Sequence, residues 1–172
     1  MKKIFSGLSN TALNTKPRVY IETSVISYLA ARPSRDLATI YKQQVTHEFW
    51  RRRSMCQLFA SDVVIREASA GNHTQSASRL EFLRLTQLFE TTFEVQQTAI
   101  VLIRDKAIPK GSEEDALHVA LCAHYEMQYL LTWNCKHIAN PVMQEKINAS
   151  LIKQGLQPAY LVTPELFLSI HN

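Results

Sequence analysis

Four polar side chains stand where apolar segments end or helices begin, and their types could do chemistry together: Glu22, Glu67, Asp115 and Asn134. Glu22 directly follows Val19-Tyr20-Ile21, and Asn134 follows Tyr129–Thr132 within two residues. Glu67 comes after Cys56–Ala60, about one and a half turns into a segment that Ser61-Asp62 opens. Asp115 sits in the first turn of a segment opened by Ser112. Carboxylates drawn to one place raise each other's pKa or recruit a cation. Hard oxygen donors select Mg2+ or Mn2+. Such an ion lowers the pKa of a bound water and stabilises charge on phosphate oxygens, which suits hydrolysis of a phosphodiester. His and Cys do not cluster, so other metal chemistry finds no support.

Each residue also has a plainer role. Glu22 could be a surface group at a strand exit and Glu67 a solvated helix glutamate. Asp115 could serve a capping box with Ser112, and Glu113 and Glu114 could favour the helix dipole. Asn134 could be a turn residue or cap. His118, one turn after Glu114 and Asp115, suits a structural hydrogen bond to one of them. His137 and Trp133 read as packing or turn residues. The order and placement of the set carry more than any member alone.

The elements that must position these groups alternate along the chain. Arg18–Ile21, Cys56–Ala60, Tyr129–Thr132 and Ala159–Val162 are short apolar strands, with Thr91–Val95 as a further candidate. Helices are expected from Val25 to Ala30, from Asp36 to about Arg53, and from Ser61-Asp62 to Gly71-Asn72. Others are expected over Ser76–Glu90 and Gln96–Ala107, from Ser112 through Ala123, from Pro141 to about Gln154, and after Thr163-Pro164. Short, wholly apolar strands alternating with helices predict an α/β fold, a mainly parallel sheet covered on both faces. Ligands bind such a sheet beyond the carboxyl ends of its strands.

The bulk composition sets limits. The chain has 172 residues, fitting one domain, and 46% of them are apolar, enough for a packed core. No apolar run reaches the ~20 residues of a membrane span, and the first residues lack the apolar core of a secretory signal. Residues 1–16 read as an arm, and 17–172 as the folded domain. Three widely spaced cysteines, Cys56, Cys122 and Cys135, fit thiols in a reducing cytosol. The formal charge of +4 is a mild bias towards acidic partners. The run Arg51-Arg52-Arg53 is either a solvated helix end or a phosphate contact.

Val19-Tyr20-Ile21-Glu22-Thr23-Ser24-Val25-Ile26 resembles the first motif of PIN domains, and Ser61-Asp62-Val63-Val64-Ile65-Arg66-Glu67 resembles the second. Asp115-Ala116-Leu117-His118-Val119-Ala120 is similar to the third and most specific motif, and Leu130-Leu131-Thr132-Trp133-Asn134 to the fourth. The resemblance implies a three-layer α/β/α fold with a five-stranded sheet and a metal-dependent ribonuclease site. It implies Glu22, Glu67 and Asp115 as ligands of Mg2+ or Mn2+, and Ser24 and Thr132 as supporting hydroxyls; Asn134 stands at the fourth catalytic position, and His118, within the third motif, is a further supporting residue. Among PIN proteins the single-domain form is similar to VapC-type toxins, which implies a cytoplasmic protein acting on RNA, a cognate antitoxin and a homodimer. Two positions depart from the family pattern: Glu22 and Asn134 stand where Asp is usual. A second reading is therefore a PIN-fold module that binds RNA or a protein without cutting. Another doubly wound fold, the phosphoacceptor receiver, wants a Lys after the last strand, where this chain has Thr163-Pro164.

Overall fold

The structure is a computed structural model that describes residues 16–171. The expected arm, residues 1–16, lies outside the described residues but for Lys16. Five strands form one sheet: β1 (Arg18–Ile21), β2 (Gln57–Ser61), β3 (Gln87–Phe89), β4 (Tyr129–Leu131) and β5 (Tyr160–Val162). Their order is β3-β2-β1-β4-β5, and every pairing is parallel. The register aligns Tyr20 with Phe59 on one side and with Leu130 on the other. Strands buried on both faces need apolar residues throughout, and Val19, Tyr20, Ile21, Leu130 and Leu131 are all wholly buried.

The helices are α1 (Thr23–Ala30), α2 (Leu37–Arg51), α3 (Asp62–Ser69), α4 (His73–Leu83), α5 (Phe93–Arg104), α6 (Glu113–His124), α7 (Pro141–Lys153) and α8 (Pro164–Ile170). Their starts follow from local chemistry. Asp36, Ser61, Thr92, Asn140 and Thr163 each accept a hydrogen bond from a backbone N–H of the first turn, and Pro141 and Pro164 occupy first positions, where no N–H is needed. One helical layer places α2 and α8 on the sheet face of Tyr129: Phe49 of α2 meets Phe167 of α8 edge-on at 5.7 Å, and Phe167 meets Tyr129 at 5.1 Å. The other face carries α6, whose His118 reaches Tyr20, with α5 packed between α6 and α7. The expected three-layer α/β/α architecture is thus what the chain forms.

Four sequence expectations need correction. Ser76–Glu90 is not one helix: α4 ends at Leu83, and Gln87–Phe89 is the edge strand β3. Thr91–Val95 is accordingly no strand, because Thr92 caps α5. The leucine spacing of Ser76–Glu90 mimics a helix, but pairing with Phe59–Ser61 and the Phe59–Phe89 ring stack at 4.9 Å decide in favour of strand. Asn72 does not close the preceding helix; its side chain caps α4. Ser112 makes no side-chain cap, so the capping box expected at α6 does not form. The run Arg51-Arg52-Arg53 is tied locally: Arg51 pairs with Glu48, Arg53 covers the Trp50 ring at 5.2 Å, and Arg52 donates to the His171 carbonyl.

Candidate active site

The strand order reverses its direction of growth between β1 and β4, which opens a crevice beyond their carboxyl ends. Glu22 and Thr132 are the first residues past those two strands. They sit side by side because the Glu22 N–H donates to the Leu131 carbonyl at 3.0 Å. Thr132 Oγ1 donates to Glu22 Oε2 at 2.8 Å, and Ser24 Oγ donates to the same oxygen. Ser24 Oγ in turn accepts the Trp133 N–H at 2.8 Å, so two strand ends and the start of α1 are laced together.

Glu67 reaches the same crevice from α3. Its Oε2 accepts from Thr23 Oγ1 and lies 3.0 Å from His118 Nε2. Glu22, Glu67 and His118 each offer a ligand atom within 4.8 Å of the others. Burial pushes the Glu67 carboxyl up, but the hydrogen bond and charge of His118, with Thr23 and Arg66, outweigh it and hold the group below its ordinary value. Burial pushes His118 down, but its bond to Glu67 and the charges of Glu22, Glu67 and Asp115 outweigh that and raise it. Among the described residues, each carboxylate spends only Oε2 on protein donors; Oε1 of Glu22 and of Glu67 accepts no hydrogen bond.

Asp115 lies outside this group of three and is joined to it by a chain of bonds. The Asn134 N–H donates to Thr132 Oγ1 at 2.8 Å, and Asn134 Nδ2 donates to Asp115 Oδ1 at 3.0 Å. The His137 N–H donates to Asn134 Oδ1 at 3.0 Å, which fixes the orientation of the amide. The other Asp115 oxygen faces His137 Nδ1 at 2.9 Å, and Ser112 Oγ lies 3.1 Å from the same nitrogen. Asn134 therefore has both polar ends committed to holding Asp115 and its own loop. An aspartate there would set two like charges against each other.

Glu22 and Glu67 thus meet beyond the strand ends, whereas Asp115 and Asn134 are linked to them through Thr132 and do not join that compact group. His118 was expected to bond Asp115 or Glu114; it bonds Glu67 and Tyr20 instead, because its side chain turns towards the sheet. His137, taken as packing or turn, is a direct partner of Asp115. Thr23, Tyr20 and Ser61 were not singled out as site residues. A tyrosine inside an apolar strand was the available signal, since its buried hydroxyl must find a partner. Trp133 does pack, with Nε1 donating to Thr46 Oγ1 at 2.8 Å and its ring edge-on to Tyr28 at 6.1 Å.

A groove of about 590 Å³ leads away from the crevice, lined by Ser24, Tyr28, Arg32, Thr39 and Gln43 among others. The Lys42 ammonium sits over the rings of Tyr28 and Trp133, at 5.4 and 5.6 Å. Among the described residues neither Arg32 nor Lys42 pairs with a carboxylate.

Two solved structures share this arrangement of elements. One is VapC20 of Mycobacterium tuberculosis, a sarcin–ricin loop cleaving toxin; it is 15% identical, with a TM-score of 0.52 over 65% of this chain and 86% of that one. The other is VapBC2 of Rickettsia felis bound to a DNA fragment from their promoter, 14% identical, with a TM-score of 0.52 over 84% of this chain and 97% of that one. No protein-family model matches the chain, and no curated protein sequence matches it. The fold is thus the PIN-type fold of VapC proteins, as the motifs led one to expect. No helix among the described residues is long and apolar enough to cross a membrane.

Proposed function

We propose that the chain is a divalent-metal-dependent endoribonuclease, the toxin half of a toxin–antitoxin pair. The observation that carries this reading is the approach of two carboxylates, Glu22 and Glu67, at the strand-order reversal, each with one oxygen held by protein donors and one open. That donor set fits a hard cation: oxygen ligands, carboxylates too close to coexist comfortably without a counter-charge, and hydroxyls that lock their orientation. Glu22 and Glu67 would hold Mg2+ or Mn2+, with Asp115 joining through the crevice. The ion supplies an activated water and charge stabilisation at the scissile phosphate. Ser24 and Thr132 hold Glu22, Thr23 and His118 hold Glu67, and Asn134 and His137 hold Asp115. Arg32 and Lys42, beside the adjoining groove, supply positive charge for the RNA backbone.

The likeness to VapC20, a sarcin–ricin loop cleaving toxin, supports RNA as the substrate class. With the toxin reading go an antitoxin that covers the acidic crevice, a homodimer and a cytoplasmic location. Purified protein is given structured and single-stranded RNA with Mn2+ or Mg2+, with Asp115→Asn as the control. Cleavage by the wild type and not by the variant is expected; cleavage that survives in the variant would place the activity elsewhere. A second reading, a module that binds RNA or a protein without cutting, is favoured by one observation: Asn134 brings no charge, and its amide is already engaged by Asp115 and the His137 N–H. Saturable RNA binding with no cleavage under either metal would decide for it.

A further inference from the structure

Behind Glu67 runs a buried chain of hydrogen bonds of which the nuclease reading uses only the last link, His118 to Glu67. Ser61 Oγ accepts the Val64 N–H at the start of α3 and lies 2.7 Å from the Tyr20 hydroxyl. That hydroxyl lies 2.8 Å from His118 Nδ1, and His118 Nε2 lies 3.0 Å from Glu67 Oε2. Tyr20, Ser61 and His118 are all 0% exposed, so no bulk water can take a leftover proton.

Counting donors fixes where each proton sits. Ser61 already accepts from Val64, and its only other neighbour in the chain is Tyr20, so its own proton goes to Tyr20. Tyr20 then donates to Nδ1. A ring nitrogen that accepts carries no proton, so the proton of the neutral imidazole is on Nε2, aimed at Glu67. The reverse order, Nδ1–H donating to Tyr20 and Tyr20 to Ser61, belongs to an imidazolium or to the Nδ1–H tautomer. It strands the Ser61 proton without an acceptor among the described residues, at the cost of an unmade buried bond.

We propose that Tyr20 is a positioning residue that fixes His118 as its Nε2–H tautomer, so that His118 orients Glu67 and does not itself ligate a cation. The short separation of Glu22, Glu67 and His118 would by itself allow either role. The bond chain separates them, because both ring nitrogens are already spent. Glu67 is then gripped through Oε2 by Thr23 and His118, with Oε1 presented to the crevice. The role rests on the reading that Glu22 and Glu67 hold a divalent ion.

The test uses the whole protein labelled with 15N-histidine. Long-range 1H–15N correlation is recorded across an alkaline pH series, read where the shifts report a neutral ring, without and with saturating Mg2+. His118 is expected to show a protonated Nε2 and a bare Nδ1 in both. A bare Nε2 on Mg2+ addition, or an Nδ1–H tautomer, overturns the proposal. Tyr20→Phe, checked for folding by circular dichroism, is expected to weaken Mn2+ binding by about 10-fold, the scale of lost outer-shell support. Unchanged Mn2+ affinity in a folded Tyr20→Phe also overturns it. Should that variant not fold, the wild-type spectra decide alone. Absence of Mn2+ binding by the wild type overturns the metal-site reading and, with it, any role of Tyr20 towards a cation. An RNA-cleavage failure with Mn2+ bound leaves both measurements readable.

Discussion

At the scale of single residues, the nuclease reading pairs each candidate reactive group with a side chain that fixes it. His137 illustrates the cost of losing a partner. Its Nδ1 faces Asp115 Oδ2 at 2.9 Å, and its backbone N–H orients Asn134, which holds the other Asp115 oxygen. His137→Ala keeps the backbone contact and removes the ring. On the nuclease reading it is expected to lower RNA cleavage by about 10- to 100-fold with little change in thermal stability. Activity equal to wild type would show that Asp115 needs no support from that side. Glu22 shows how a longer acid can occupy the first position: its carboxylate is braced by both Ser24 and Thr132, which offsets the freedom of the extra methylene.

Among the elements, α2 ties the loop after β4 to the rest of the fold. Trp133, next to Thr132 and Asn134, donates its indole N–H to Thr46, and Thr46 is wholly buried. Thr46→Val keeps the shape and leaves that N–H unmatched. It is expected to cost about 1–3 kcal/mol in urea unfolding. A loss well below that range would mean water reaches the indole. The same helix carries Lys42, held over the Tyr28 and Trp133 rings beside the groove. If RNA backbone follows that groove, Lys42→Ala weakens binding to all sequences alike and reduces the slope of log affinity against log salt by about 1. An unaltered salt slope would move the backbone path away from α2.

For the molecule as a whole, the half-buried Glu67–His118 pair is expected to make stability depend on pH. The His118 value is raised from 6.5, so its stabilising effect is complete below 6.5 and fades as pH rises through the raised value. The Glu67 value is lowered from 4.5, so its effect is present above 4.5 and fades as pH falls through the lowered value. The metal-free protein is therefore expected to draw most from this pair between 4.5 and 6.5. Urea midpoints measured across pH in chelator should decline above that window for the wild type. They should lose that decline in His118→Gln; an identical pH profile in the variant would remove the pair from the account.

The sequence by itself determined the alternation of strands and helices, four of the five strands, and the candidate acids, because apolar runs, helix caps and Glu or Asp at segment ends are local signals. Val19-Tyr20-Ile21-Glu22 reads the same whether or not the chain is folded. The edge strand Gln87–Phe89 was not legible: it is half exposed, its leucine spacing fits a helix, and only pairing with β2 makes it a strand. Nor could spacing reveal that His118 turns from Asp115 to Glu67, or that His137 and Asn134 grip Asp115. Those partners lie 19 to 51 residues apart, brought together when β1 and β4 pair at the reversal of strand order. Tertiary structure decided them because a hydrogen bond depends on distance and direction in space, which no separation along a chain encodes.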